Sequence, residues 1–390
     1  MAELPAQVIA RFLAATPRRP ENIVFIGRAD SLFAGNAKYQ FLHFAANRPD
    51  IRPCYVTLNR QVFKELQAAS LPAALFPEEP ALTALAGAQV VVVDDFHYRL
   101  HGLDIFTKGA RIVQLWHGVG FKKIGFLEAA TAIDMEQEKR EYLRRMYSDY
   151  DAVISTSPFY SEHLFKTSFG AREIWETGYP RNDVLLRRPE KHDLLGSDPQ
   201  LYGRLRMMHK ELRTCIYAPT FRDDQSDPFS HGALDLAALS GFLKREGMAL
   251  FIKMHQFSKR YDVKDLANIH IIPNELDVYP LLPYFDCMIT DYSSIYMDYM
   301  LLLRPVIFFP YDREDYSQRL REFQFDYNEM TPGPKCMTQA ELHDALLQAI
   351  AGAAEWGKER QRIRDMAFRF HDANAAARVA EHLTRLARGA

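Results

Sequence analysis

The sequence predicts an α/β fold of parallel sheets, and three observations predict it. Short β-branched runs alternate with helix-like stretches along most of the chain. Those runs are apolar on both faces instead of alternating, as strands covered by helices on each side must be. Hydrophobic residues make up 48% and charged residues 25% of 390 residues. That usage excludes disordered, collagenous and coiled-coil classes, and a chain of this length buries a large core without staples.

Taken in order, the first half offers strands at 23–26, 53–57, 90–93, 112–115 and 152–155, with helices at 34–46 and 161–168 between them. The segment 187–210 breaks the rhythm: it is polar, charged and contains Arg-Arg-Pro-Glu-Lys-His-Asp, and it reads as a crossover. Strands follow at 214–218, 250–253, 269–272, 287–290 and 306–309, with helices at 234–246 and 293–302. From Gln339 onward the pattern is two or three amphipathic helices without a strand. The division is expected near residue 187, giving domains 1–186 and 187–390, two Rossmann-like halves that face each other. Such halves bind ligands at the carboxyl ends of their strands, in the cleft between them.

Charge and cysteine usage narrow the class. The 48 Lys and Arg against 50 Asp and Glu leave a net charge of −2, which argues against a surface built for nucleic acid. Four scattered cysteines, without a CxxC pair or zinc spacing, read as reduced thiols of a cytoplasmic protein. No secretory leader is expected, since the opening residues lack a basic start followed by an apolar run. No window approaches ~18–20 apolar residues, so no membrane span is expected.

Six strings carry candidate chemistry, five of them at the end of a predicted strand. Trp116-His117-Gly118-Val119-Gly120-Phe121-Lys122-Lys123 puts an imidazole before glycines that let a ligand approach the backbone. Its plain alternative is a packed loop histidine with two solvated lysines. In Gly178-Tyr179-Pro180-Arg181-Asn182-Asp183 the proline suits a helix's first turn, and Arg181 would clamp a phosphate there. Here the alternative is a capped helix start. Tyr217-Ala218-Pro219-Thr220-Phe221-Arg222-Asp223 offers a hydroxyl and a guanidinium to a diphosphate, or is a turn. In Lys253-Met254-His255, alternation sends two cationic groups the same way at a strand end. Thr290-Asp291-Tyr292-Ser293-Ser294 ends a strand and opens a helix, where N–H groups and hydroxyls suit a phosphate. An ordinary serine N-cap explains one of those serines but not the string. Finally, Asp312 after the strand 306–309 suits a ribose, or caps a helix.

With these residues in view, the chain resembles the CDP-glycerol glycerophosphotransferase family of teichoic-acid and capsule phosphotransferases. The likeness runs from Phe25 to Phe325 and holds six motifs in family order: WHG…K at 116–122, GYPRND at 178–183, YAPTFRD at 217–223, KxH at 253–255, ITDYSS at 289–294 and RPVIFFPYDREDY at 304–316. It implies a GT-B fold with an acceptor-side first half and a nucleotide-side second half. It implies His117 as catalytic base and His255 as the second catalytic group. Donor-phosphate contacts are implied for Ser293, Ser294, Arg181, Lys253, Thr220 and Arg222, and nucleotide contacts for Asp312 and Thr290. Gly118, Lys122 and Lys123 fall on the acceptor side. Two departures bear on acceptor identity: Val119-Gly120 stands where the family usually has Thr-Pro, and Gln256 where it usually has Pro.

The implied activity is transfer of glycerol phosphate, or a related alditol phosphate, from a CDP-alditol donor to a hydroxyl of a growing or lipid-linked surface polymer, with release of CMP. A nucleotide-sugar glycosyltransferase and a non-catalytic assembly scaffold are the alternatives. No obligatory metal or other cofactor is expected besides the CDP-glycerol donor. Asp94-Asp95 and Asp223-Asp224 are adjacent pairs that diverge on extended chain, while Mg²⁺ on substrate phosphates is compatible with the sequence. A peripheral place on the inner membrane face is one reading of Leu4, Val8, Ile9, Phe12 and Leu13, of Phe121, Ile124, Phe126 and Leu127, and of the basic stretch Lys139, Arg140, Arg144 and Arg145. The sequence leaves open primase or polymerase action, glycerol or ribitol, and the oligomeric state.

Overall fold

A computed structural model describes residues 6–28, 32–131, 136–220, 222, 228–229, 232–254, 266–312, 323–352 and 355–389. The chain divides into two compact units, the first comprising Met1–His117, Ile124–Gly196 and Arg369–Ala390, the second Gly118–Lys123 and Ser197–Phe368.

The first unit is built on seven parallel strands: β1 (Arg19–Ile26), β2 (Arg52–Thr57), β3 (Ala73–Leu75), β4 (Ala88–Val93), β5 (Arg111–Gln114), β6 (Ser148–Ser155) and β7 (Gly170–Glu176). Their spatial order is β3-β2-β1-β4-β5-β6-β7, so the winding reverses between β1 and β4. Phe25 of β1 lies opposite Tyr55 of β2 and Val92 of β4. All of Val90, Val91 and Val92 are fully buried, which is why a continuous β-branched run forms here instead of an alternating one. Helices α1 (Ala6–Ala15), α2 (Gly35–Asn47), α3 (Arg60–Ala68), α4 (Glu79–Gly87) and α5 (Gln137–Tyr147) belong to this unit.

The second unit repeats the plan with β8 (Arg213–Ala218), β9 (Met248–Ile252), β10 (Ile269–Ile271), β11 (Cys287–Thr290) and β12 (Val306–Phe308), ordered β10-β9-β8-β11-β12 and all parallel. Its reversal falls between β8 and β11. Around it lie α6 (Pro199–Glu211), α7 (Leu236–Arg245), α8 (Ile295–Tyr299), α9 (Gln339–Ile350) and α10 (Gly357–Ala367). Leu239, Phe242 and Leu243 of α7 and Leu342 and Leu346 of α9 share one core with β8, β9 and β11.

The observed division departs from the expected one in three places. It falls at Gly196/Ser197 instead of near 187, because 187–196 is tied into the first unit: Lys38 Nζ donates to the Asp193 and Leu195 carbonyls, both at 2.7 Å. Gly118–Lys123 joins the second unit, where Lys122 bridges Phe323 and the Phe121 carbonyl accepts from Gln324 N–H at 2.6 Å. The last helix, α11 (Ala375–Arg388), packs on α2, β1 and β4 of the first unit. Asp183 secures that helix by accepting the Ala375 and Ala376 N–H groups at 2.8 and 2.9 Å. Strand β7 was not anticipated, since Gly-Ala-Arg-Glu-Ile-Trp-Glu is a polar edge strand in which only Trp175 is buried. The crossover at 187–210 contains most of α6, capped by Asp198.

Candidate active site

In the first unit the informative residues follow β1, β4 and β5, beside the reversal of winding. Gln114, at the end of β5 and fully buried, accepts the Trp116 N–H on Oε1 at 2.9 Å. Trp116 then adopts φ 53°, a left-handed conformation that costs a bulky residue about 1–3 kcal/mol. It is held there from several sides. Asn36 Nδ2 donates to the Trp116 carbonyl at 2.8 Å and the Leu115 carbonyl at 3.3 Å. The indole packs against Phe169 and Tyr147, with ring centroids 5.1 and 5.7 Å away, and against the His117 ring at 4.0 Å. The turn delivers His117 half-buried, with Nδ1 3.4 Å from the Asp94 carbonyl oxygen. A carbonyl only accepts, so this loose contact favours the tautomer with the proton on Nδ1, leaving Nε2 with its lone pair.

Arg181 completes the turn. Its Nη1 donates to the His117 carbonyl at 2.7 Å, its backbone N–H donates to Asn36 Oδ1 at 3.2 Å, and its guanidinium lies 5.2 Å from the Tyr179 ring centroid. Pro180–Asn182 is a single 3₁₀ turn, and Arg181 is buried, so its charge sits beneath the histidine loop and not at an open helix start. Asp183 caps α11, a distant helix, rather than its own.

Burial and the neighbouring Arg28 guanidinium push the His117 pKa well below that of an ordinary imidazole; Arg181 acts in the same direction and Asp95 opposes it. The two adjacent carboxyls separate. Burial pushes Asp94 well up despite the Ala37 N–H that its Oδ1 accepts at 2.8 Å. Burial pulls Asp95 up as well, but the bonds and charge of His97, with Nδ1 at 3.1 Å, outweigh it and hold Asp95 below the usual carboxylate value. Gly35 makes this packing possible: its φ is 77°, and a Cβ there would stand 2.5 Å from Asp94 Oδ2.

In the second unit, residues after β8, β11 and β12 converge at the other reversal. Asp291 Oδ1 accepts the Thr220 N–H and hydroxyl at 2.8 and 2.7 Å. Arg222 donates to Asp291 Oδ2 at 2.7 Å and to both Asp312 oxygens at 2.9 Å, between the rings of Tyr292 and Tyr311. Burial alone would lower the Arg222 pKa, but the two carboxylates more than reverse this, and burial of Asp291 is likewise overcome by Arg222.

Several expected ligand contacts are therefore engaged inside the unit. Arg222 and Asp312, expected on phosphate and nucleotide, bind each other, because a guanidinium 3% exposed has to be neutralised where it lies. Thr290 is fully buried and donates its hydroxyl to the Ala218 carbonyl at 2.7 Å. Lys253 Nζ holds the Pro273 and Asn274 carbonyls at 3.2 and 2.6 Å. His255 lies outside the described residues.

Ser293 and Ser294 are half-buried at the start of α8, and the Ser294 side chain makes no capping bond to that helix. Gly120 lies against Ser294: a Cβ there would sit 3.5 Å from Ser294 Cβ. Lys122 and Lys123 are half-buried on the same short segment, which Gly118 begins. Asn36, Asp94 and Asp291 were not among the expected site residues. The Ala34-Gly35-Asn36 string signals only a helix start, and nothing local to Asp94 or Asp291 tells which distant groups each will hold.

A half-buried histidine follows β5 at one switch point and a turn with two serines follows β11 at the other, each on a parallel α/β unit; the family comparison makes the class a transferase. The chain belongs to the CDP-glycerol:poly(glycerophosphate) glycerophosphotransferase family, whose profile matches residues 8–385. The teichoic acid glycerol-phosphate transferase of Staphylococcus aureus (strain NCTC 8325 / PS 47) is 30% identical over 287 residues, covering 69% of this chain and 70% of that protein. A teichoic acid poly(ribitol-phosphate) polymerase of Bacillus spizizenii (strain ATCC 23059 / NRRL B-14472 / W23) is 31% identical over 270 residues, covering 66% of this chain but only 41% of the polymerase. In fold, the wall teichoic acid polymerase TagF superposes with a TM-score of 0.78 at 23% identity, covering 98% of this chain and 94% of that one. Among the described residues no group of three His, Cys, Asp or Glu could hold a metal ion, and no helix is long and apolar enough to cross a membrane.

Proposed function

We propose that this chain transfers glycerol phosphate, or a related alditol phosphate, from a CDP-alditol to a hydroxyl of a growing or lipid-linked cell-surface polymer of the teichoic-acid or capsule type. In this reading the two units face each other in the GT-B manner. The acceptor hydroxyl attacks the distal phosphorus of the donor, and His117 Nε2 takes its proton. The new P–O bond forms as the bond to the bridging oxygen breaks, and its electron pair leaves with CMP. Ser293, Ser294 and His255 hold the diphosphate, while Arg181 adds positive charge behind the base. Gly118, Lys122 and Lys123 serve the acceptor side.

The observation that carries this reading is the path of the WHG segment. Three residues after the base, Gly120 packs on Ser294 in the second unit, so a short run of chain links the proton acceptor to the proposed diphosphate cradle. Thr220, Arg222, Asp291 and Asp312 frame that cradle without touching the donor. Binding of Mg²⁺ would use substrate phosphates with few protein ligands.

Work at the inner membrane face belongs to the same reading. Its support is the exposed basic face of α5, with Lys139, Arg140, Arg144 and Arg145. Phe121 and Leu127 are buried and contribute nothing to such a face.

Incubation with CDP-glycerol or CDP-ribitol and a lipid-linked acceptor, followed by mass analysis, should yield CMP and products extended by whole alditol-phosphate units. The His117→Ala variant should lose about 10²–10⁴ in turnover while binding donor as the parent does. Release of UDP from UDP-sugars in place of CMP would overturn the donor assignment, and collapse of CDP-glycerol binding in the variant would overturn the base.

A further inference from the structure

We propose that Asn36 is a positioning residue for catalysis: its carboxamide locks the strained Trp116 turn to Arg181 and so fixes the orientation of His117. The inference rests on the reading of His117 as the base. Asn36 is fully buried in the first turn of α2 and bonds two separate segments at once. Nδ2 meets the Leu115 and Trp116 carbonyls at 3.3 and 2.8 Å, and Oδ1 meets the Arg181 N–H at 3.2 Å. Every partner is a backbone group of fixed polarity, so the amide has one orientation only.

Three further bonds make the device closed. Arg181 returns from its side chain to the His117 carbonyl at 2.7 Å. Gln114 holds the Trp116 N–H at 2.9 Å. Asp94 anchors α2 through Ala37 at 2.8 Å and offers its own carbonyl to the His117 ring. The peptide groups on both sides of the base are thus tied, and Asn36 bonds both the histidine turn and the Arg181 turn from a third segment, the start of α2. A left-handed tryptophan has a strong tendency to relax. Without the amide the imidazole would rotate with it, and misplacement of about 1 Å is enough to cost on the order of 10²-fold in rate.

The residue type matters as much as the shape. Aspartate at this position is isosteric but, when ionised, presents a second acceptor to two carbonyl oxygens. When protonated it regains one donor.

The test compares Asn36→Asp, Asn36→Ala and Asn36→Ser with the parent and with His117→Ala. Turnover with CDP-glycerol is measured from pH 5.5 to 8.5, together with donor affinity by calorimetry and thermal unfolding. Expected at pH 7.5 is a loss of kcat of about 10²-fold in N36D and N36A, with donor Kd within about twofold. Full burial against two carbonyl oxygens raises the pKa of the new carboxyl, so the N36D deficit relative to the parent should shrink at least about fivefold on going to pH 5.5, whereas that of N36A should stay constant. Should N36D fail to fold, Asn36→Ser, which reaches one carbonyl at most, should show an intermediate loss of kcat with donor affinity kept. A folded N36A or N36S with parental kcat, or an N36D deficit equal at every pH, overturns the proposal. Parental turnover in His117→Ala overturns the base assignment instead, so the two failures are distinct.

Discussion

At the scale of single residues, polarity decides more than identity does. Arg222 looked in the sequence like a phosphate ligand, and the structure encloses it between Asp291 and Asp312. Nothing in Thr-Phe-Arg-Asp tells whether a guanidinium faces a ligand or two carboxylates about 70 and 90 residues away. Replacing Arg222 by Ala leaves Asp291 buried without its cation and should cost about 3–5 kcal/mol in denaturant unfolding. A loss under about 1 kcal/mol would show the cluster to be hydrated and the arginine available. The place of His117 just after a strand was legible, because the apolar run before it and the glycines after it mark the strand's end; its partners were not. Burial, with Arg28 and Arg181, keeps His117 neutral down the acid range, so the acid limb of kcat/KM should lie below pH 6.5, the ordinary imidazole value. Asp95 opposes this shift by its charge, along with the Asp94 carbonyl. Asp95→Asn should therefore move the limb to still lower pH, by roughly half a unit to one unit, and a pH-rate profile that shifts upward would contradict the electrostatic account.

At the scale of elements, the strands that form the centre of each sheet were legible because they are hydrophobic on both faces. Runs such as Val90–Val93 admit no other burial. β3 and β7 were not: β3 is only the three residues Ala73–Leu75, too short to show a run, and the edge strand β7 carries Arg172, Glu173 and Glu176 among seven residues. The docking of α11 was equally silent, because an amphipathic helix shows which face is apolar and not which sheet receives it. Asp183 makes that docking pH-dependent. Burial, against the two N–H groups it accepts, raises its pKa to about 6 from an unfolded value of 3.8. The folded state therefore binds the proton more tightly. The contribution is fully present below pH 3.8 and is lost as pH rises through 6. Relative to Asp183→Asn, the parent should lose up to about 3 kcal/mol of unfolding free energy between pH 4 and pH 7. Parallel stability curves for the two proteins would remove the carboxyl from the balance.

At the scale of the molecule, the two parallel α/β units and the six motif strings could be read from the sequence, while the membership of the segments could not. Composition does not change at 196, 118 or 369; what assigns those stretches is long-range pairing that no local window contains. Leu383 of α11 is fully buried in the first unit, so Leu383→Ala should cost about 2–5 kcal/mol. Hydrogen exchange should show the loss in α2, β1 and β4 while β8, β9 and β11 keep their protection. Equal loosening of both units would mean that the helix stabilises more than the unit in which it packs. The same topology governs manufacture. A ribosome has to translate all of 197–368 before α11 exists, so the sheet that is made first is finished last. Until then α2, β1 and β4 lack the cover that Val379 and Leu383 supply, and factors that grip apolar surface on nascent chains have their longest opportunity at that face.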